Sequence, residues 1–326
     1  METRNRIFEI TGDTAFTEAA LSVFRYQYLH NPVYREFINA IPCNPETINS
    51  FSLIPCLPIG FFRKHNIITG DRDPEHVFLS SGTTGGEPSR HPVTDLALYR
   101  ESLSRGFRYF YGPPEDYEFF ALVPSPEKVP GSSLAYMISL WIRQSGSDRS
   151  GFFPDEFHAL ARLLQERRNN CRKKLLIGLT YALLDFAEQF PIDLEQDLVM
   201  ETGGMKGKRK EMIREEVHAI LKERFHTRHI HSEYGMTEML SQAYSKGEGR
   251  FLPPPWMKIV IRDPNDPFSL LPCGKTGGVN ILDLANINSC SFIATQDLGR
   301  LYENGEFEIL GRFDDSDLRG CNLMIP

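Results

Sequence analysis

Between Ser80 and Pro88 the chain sets two serines, two threonines and three glycines within nine residues, S-S-G-T-T-G-G-E-P, with no lysine among them. Hydroxyls and unshielded backbone N–H groups gathered in one turn are donors that can cradle a polyphosphate. The run is not the G-x-x-x-x-G-K-[ST] loop, because no lysine follows the second glycine group. A plain turn has the same composition, so the loop alone leaves both readings open. Two further polar runs carry glycine: E-T-G-G from Glu201 to Gly204, and H-S-E-Y-G-M-T-E from His231 to Glu238. Near the end, R-G-C-N-L holds Cys321. A thiolate is a strong side-chain nucleophile, although a thiol tucked against the fold fits that position equally well.

These residues need a scaffold, and 326 residues with 41% hydrophobic and 24% charged content supply a soluble globular core. A net charge of −7 and a pI near 5.8 argue against a nucleic-acid partner. The N-terminus lacks an apolar targeting segment and no window approaches the ~18 apolar residues of a membrane span; a cytoplasmic protein is expected. The six cysteines are scattered, without a C-x-x-C pair or a histidine at metal-ligand spacing, so neither a disulfide framework nor a zinc site is expected.

Residues 16–40 read as two helices broken at Asn31-Pro32. From 77 to 234 short apolar runs alternate with helical patterns. The strands are E-H-V-F-L-S-S, Y-E-F-F-A-L-V-P, K-L-L-I-G-L-T, D-L-V-M-E-T-G-G and R-H-I-H-S-E-Y-G. The helices between them include one capped by Thr94, one over 155–172 and a long charged one beginning at K-G-K-R-K (Lys206–Lys210). Such alternation predicts an α/β fold with a mostly parallel sheet flanked by helices. After about residue 248 short strands separated by Gly, Pro and Asn-Gly turns predict a small antiparallel, barrel-like lobe, with Asn304-Gly305 as a two-residue hairpin. The division expected is 1–248, an α/β core; 249–310, the β lobe; and 311–326, a hinge-like tail. The three polar runs then fall beyond strand ends, where such sheets bind ligands.

In this order the motifs resemble those of the AMP-forming adenylating superfamily, which includes acyl-CoA synthetases, peptide-synthetase adenylation domains and luciferases. Ser81 to Pro88 is similar to its S-G-T-T-G-x-P-K motif, with one residue inserted and Ser89 where the family commonly has lysine. Tyr234 to Glu238 is similar to Y-G-x-T-E, T-Q-D-L-G-R-L to a ribose-contacting segment, and G-R-F-D-D to G-R-x-D. Nearly the whole chain resembles the LuxE-type acyl-protein synthetases, through F-R-Y-Q-Y-L-H-N-P-V-Y-R-E-F-I, C-L-P-I-G-F-F-R-K-H-N-I-I-T-G, V-P-G-S-S-L-A-Y-M, E-T-G-G-M-K-G and L-R-G-C-N-L.

That resemblance implies activation of a fatty acid by ATP, capture of the acyl group on a cysteine near the C-terminus, and delivery to an acyl reductase or another acceptor protein. The residues suit this chemistry. Ser80, Ser81, Gly82, Thr83, Thr84, Gly85 and Gly86 would hold the outer phosphates. Thr237 would donate to a phosphate, and Glu238 would hold Mg²⁺. Tyr234, with Gly235 beside it, would offer a face to adenine, and Gly203-Gly204 would allow close approach to the edge of the base. Asp297 would accept from the ribose hydroxyls, with Arg312 on its far side. Cys321 would take the acyl group.

Taken singly, Glu238 also reads as a carboxylate at a helix N-terminus, Asp297 as a turn residue and Arg312 as part of a surface ion pair. The sequence runs 14 residues past Arg312, so no lid carrying a catalytic lysine is expected. Lys206 and Lys208 are then the candidate cations, though exposed lysines at a helix start read the same way. His231 reads as a satisfied loop histidine or as a neighbour of the ribose. The acyl pocket is expected near F-F-A-L-V-P-S and Ser132-Ser133. The acid itself, and a homo- or hetero-oligomeric state, are left open.

Overall fold

A computed structural model describes residues 6–81, 87–166, 172–205, 207–210 and 212–313. Helices α1 (Gly12–His30) and α2 (Pro32–Ala40) part at Asn31, whose Oδ1 accepts from the Tyr34 N–H at 3.0 Å while Pro32 takes the first turn. Strand β1 (Leu57–Pro58) and the one-turn helix α3 (Phe61–Lys64) follow, then β2 (His76–Leu79) and β3 (Arg90–Val93). Next come α4 (Leu96–Tyr111), β4 (Tyr117–Leu122), α5 (Ser133–Ser145), β5 (Gly151–Phe152), α6 (Phe157–Gln165), β6 (Lys173–Leu179), α7 (Thr180–Gln189), β7 (Leu198–Thr202), α8 (Arg214–Phe225) and β8 (His231–Tyr234). The remainder is strand: β9 (Ala243–Ser245), β10 (Phe251–Leu252), β11 (Met257–Arg262), β12 (Thr276–Asp283), β13 (Phe292–Leu301) and β14 (Phe307–Arg312), with a 3-10 turn at Leu284–Asn286.

Strands β5, β4, β6, β7 and β8 lie side by side and parallel. Every residue of β4 is buried, and the runs Phe119–Leu122 of β4 and Leu175–Ile177 of β6 are apolar as a strand covered on both faces requires. Phe107 of α4 and Trp141 of α5 meet at 4.8 Å over Phe119 of β4, and Phe186 of α7 packs on Phe225 of α8. At β8 the direction changes. Strand β9 returns antiparallel, and β10, β14, β13, β12 and β11 extend the same sheet antiparallel. One hydrogen-bonded path thus crosses residue 248. Strand β1 joins it from the N-terminal side, parallel to β13, with Leu57 opposite Ile293.

Four local expectations change. Strand β2 is not part of the parallel sheet; it pairs antiparallel with β3, making a separate hairpin whose connection contains the hydroxyl-rich run. A four-residue apolar strand carries no signal that separates the two pairings. Helix α4 is capped by Asp95, whose Oδ1 accepts from Leu98 N–H at 2.9 Å, rather than by Thr94. Helix α8 begins at Arg214, because Gly207 takes φ +67° and Arg209 is drawn to Asp185 (2.7 Å) and Glu188 (2.6 Å) on α7. Asn304-Gly305 closes a three-residue loop: Tyr302 N–H donates to Glu306 C=O at 2.8 Å, with Gly305 at φ +82°.

Candidate functional site

Three of the singled-out residues meet where the sheet changes direction. Tyr234 ends β8, and its hydroxyl donates to Asp297 Oδ2 at 2.6 Å. Asp297 and Arg312 are cross-strand partners on β13 and β14, with Arg312 Nε 3.3 Å from Asp297 Oδ1. The Tyr234 ring is wedged against Phe251 and Phe307 at 5.8 and 5.6 Å. Burial raises the pKa of the Asp297 carboxyl, opposed by the Tyr234 hydrogen bond and by the charges of Arg312 and Arg262. The Arg312 side chain is 60% exposed, so this pair adds little stability. Its value is geometric, because it fixes one carboxylate between a phenol and a guanidinium. Asp297 is therefore no mere turn residue.

Glu238 follows β8 by four residues, in a turn that leads into β9; no helix begins there. The helix-terminus explanation of this carboxylate falls away. It is buried, and burial raises its pKa; the Ser89 hydroxyl that donates to it, and the charges of Arg312 and Arg63, pull the other way. Ser89 stands at the neck of the β2–β3 hairpin, where its N–H donates to Ser80 Oγ at 2.8 Å and its carbonyl accepts from Ser80 N–H at 3.0 Å. Ser80 thus closes the loop's neck, and Ser81 beside it is exposed. A carboxylate oxygen is the kind of hard ligand that a divalent cation such as Mg²⁺ takes.

The backbone on either side of Glu238 is pinned from three directions. His91 of β3 bonds the Thr237 carbonyl through Nδ1 at 2.7 Å. Burial drops the His91 pKa to about 4, so the ring is neutral and Nδ1–H is the donor. Asn286 Nδ2 donates to the Glu238 carbonyl at 2.8 Å. Asp283, at the end of β12, accepts from Leu240 N–H and Ser241 N–H, each at 2.9 Å. Thr237 is half-buried, and no described residue bonds its hydroxyl; among the described residues that leaves the hydroxyl open to a ligand.

Beyond β7, Gly203 and Gly204 take φ +76° and +69°, a left-handed pair that only glycine holds without strain. Gly204 N–H donates to Thr180 Oγ1 at 3.2 Å, and Thr180 Oγ1 donates to Glu201 Oε2 at 2.9 Å. Burial would raise the Glu201 pKa, but His218, Arg214 and Ser232 together hold it below the ordinary value. Its neighbour Glu233 differs. Burial pushes it up to about 7, the Thr202 hydroxyl at 2.6 Å opposes this, and the Glu201 charge reinforces it. A Cβ on Gly235 would sit 2.6 Å from Glu233 Oε1, so a side chain there would push the carboxylate aside.

Glu233 makes stability depend on pH. Its ordinary pKa is 4.5 and its folded value about 7, so between those values the folded chain holds the extra proton. Raising pH through that window therefore lowers stability, by up to about 3 kcal/mol above pH 7. Glu233→Gln removes the loss. Thermal melts are expected to show the variant more stable than wild type at pH 8, with the gap closing toward pH 4.5. A gap that does not move with pH would contradict the assignment.

Other expected participants lie elsewhere or outside the described residues. Gly82, Thr83, Thr84, Gly85 and Gly86, Lys206 and Cys321 belong to the latter. Lys208 is exposed in the turn after β7. His231 is buried with Nδ1 3.2 Å from the Tyr111 hydroxyl, and burial lowers its pKa to about 4, which fits a satisfied core histidine. Ser132 caps α5 by accepting from Ala135 N–H. Phe119 and Phe120 are wholly buried core. Among the described residues no cluster of His, Cys, Asp and Glu could hold a metal unaided, and no helix is long and apolar enough to cross a membrane. Sequence reasoning missed Ser89 as a partner of Glu238, and His91, Asp283 and Asn286 altogether. Only Ser89 left a trace, as the departure from lysine at the end of the loop motif.

A family model described as "Acyl-protein synthetase, LuxE" matches residues 9–326. No curated protein matches the chain. Among solved structures, an open conformation of 2-hydroxyisobutyryl-CoA ligase in complex with 2-HIB-AMP and CoA superposes with a TM-score of 0.69 at 16% identity, over 93% of this chain and 70% of that one. ATP-bound MatB from Rhodopseudomonas palustris gives a TM-score of 0.55 at 15% identity, over 75% of this chain and 50% of that one. The chain thus spans about half of MatB, and at these identities the likeness is one of fold, that of the N-terminal domain of adenylating enzymes.

Proposed function

The chain belongs to the LuxE acyl-protein synthetase family, and from that premise we propose that it activates a carboxylic acid, a long-chain fatty acid, with ATP and then carries the acyl group on Cys321. The observation that carries this reading is the meeting of Tyr234, Asp297 and Arg312 where the sheet changes direction, with Glu238 buried in the turn that follows Tyr234. The Tyr234–Asp297 bond alone spans 63 residues, and these groups supply the ring, acceptor, cation and carboxylate that a nucleotide asks for.

In the first step a carboxylate oxygen of the acid attacks the α-phosphorus of ATP. The bond to the bridging oxygen breaks, and pyrophosphate leaves with the electron pair. Asp297 would hold the ribose hydroxyls, and the hydroxyls of the β2–β3 loop and Thr237 the phosphates. Magnesium, when bound, would neutralise phosphate charge, and Glu238 would hold it. In the second step the Cys321 thiolate attacks the acyl carbon, a thioester forms and AMP departs. An acyl reductase is the proposed recipient, and the cytoplasm the proposed setting.

The test is exchange of labelled pyrophosphate into ATP over a panel of acids, with wild type and Cys321→Ser. Acid-dependent exchange, strongest with long chains and surviving in Cys321→Ser while the covalent acyl adduct disappears, is the expected result. Absence of exchange with every acid would end the adenylation reading. An adduct persisting in Cys321→Ser would move the acceptor elsewhere.

A further inference from the structure

We propose that Arg214, the first residue of α8, is a positioning residue that holds the two halves of the nucleoside site in register: the glycine pair after β7 and the Asp297 carboxylate on β13. The inference rests on the adenylation reading above and adds a residue to that same site.

In the sequence Arg214 is the lone base of E-M-I-R-E-E, and it opens a helix whose first turn carries Glu215 and Glu216. The helix dipole favours those carboxylates and opposes an arginine there, so its contacts must supply the reason. Four-residue spacing puts His218 on the same face, and both side chains turn on Glu201. Arg214 Nε lies 3.4 Å and His218 Nε2 3.7 Å from Glu201 Oε1. The other oxygen, Oε2, accepts from the Thr180 hydroxyl at 2.9 Å, and the Thr180 oxygen takes the Gly204 N–H at 3.2 Å. Arg214 thus stands at the head of a chain of contacts that ends on the left-handed glycine pair.

The same guanidinium reaches the other half. Its Nη1 donates to the Ile309 carbonyl of β14 at 3.3 Å, three residues before Arg312. Its centre lies over the ring of Phe251 at 5.1 Å, the ring that flanks Tyr234 at 5.8 Å. In the sheet β7 and β14 are separated by β8, β9 and β10, and β10 is two residues long with one residue pair to β14. The sheet therefore curls enough for one side chain to span that thin join. Room is left for it: Gly249 is buried at φ +66°, and a Cβ there would sit 2.9 Å from Arg214 Cδ. Donors aimed at Glu201 and at Ile309 together need a guanidinium fork; a single ammonium cannot serve both.

The test compares full-length wild type, Arg214→Met, Arg214→Lys, Glu201→Gln and the double variant Arg214→Met/Glu201→Gln. The readouts are melting temperature, equilibrium binding of MgATP, AMP and inorganic tripolyphosphate, and pyrophosphate exchange as ATP is varied. ATP and AMP share the nucleoside, so Arg214→Met is expected to weaken both by one factor, about tenfold, with tripolyphosphate binding unchanged. The KM for ATP should rise by the same factor while the rate at saturating ATP stays within about twofold of wild type. Arg214→Lys should recover only part of the loss. The double variant should bind no more weakly than Arg214→Met, because both side chains act through one chain of contacts. Should Arg214→Met fail to fold, Arg214→Lys carries the same comparison: ATP and AMP weakened together, tripolyphosphate not. Wild-type AMP affinity in the folded variants, an equal loss of tripolyphosphate binding, or additive losses in the double variant would overturn the inference while wild-type exchange upholds adenylation. A wild type that neither binds ATP nor exchanges would overturn both.

Discussion

Glu238→Ala lowers acid-dependent pyrophosphate exchange by about 10²–10³-fold, the scale of losing one preorganised electrostatic contact in a phosphoryl-transfer site. The companion Glu238→Gln separates the reasons. Glutamine keeps the volume and can still accept from Ser89, whose hydroxyl bonds the carboxylate, but it carries no charge to hold a divalent cation. If the carboxylate serves Mg²⁺, Gln is as impaired as Ala, and the Mg²⁺ concentration for half-maximal exchange rises in both. If it serves only to order the turn, Gln should exchange like wild type. Melting curves of both variants should stay near wild type, because removing a carboxyl whose burial raises its pKa relieves an electrostatic cost.

Asp283→Ala carries the largest expected loss of stability. Asp283 is wholly buried and accepts from Leu240 N–H, Ser241 N–H, Ser241 Oγ at 2.6 Å and Ala285 N–H at 3.2 Å. Removing the carboxylate strands several buried donors, each costing about 1–3 kcal/mol if left unmet. Burial already raises the Asp283 pKa, so part of this is offset by removing a desolvated acid. A net loss on the order of 4 kcal/mol is expected from denaturant titration. Because the same bonds fix the turn after Glu238, exchange should fall in the fraction that remains folded. Asp283→Asn, which keeps one acceptor oxygen, should lie between. Wild-type stability in Asp283→Ala would show that the turn holds itself.

What was legible in the sequence divides by the range of the interaction. Strands β4, β6 and β7 could be read from the apolar runs at their buried centres, and Asn31-Pro32 because its cap and first turn are local chemistry. Tyr234 and Asp297 could be named only through motif order, since spacing says nothing of a hydrogen bond across 63 residues. His91, Asn286 and Asp283 left no sign. They act on backbone groups, and backbone groups look the same beneath every side chain. Strand β2 was misassigned because four apolar residues fit a hairpin and a parallel sheet equally.

The N-terminal segment leans on the far end of the chain. Gln27 donates to the carbonyls of Asn286 and Ile287 and accepts from Ser291 N–H across 264 residues, and Leu57 lies opposite Ile293. During translation, at roughly 5–20 residues per second, helix α1 waits some tens of seconds before its docking surface has left the ribosome. Throughout that interval Phe16, Phe24 and Tyr34, all wholly buried at the end, lack their final cover. Slowing synthesis of the codons for β12 to β14 should therefore aggravate aggregation of the newborn chain.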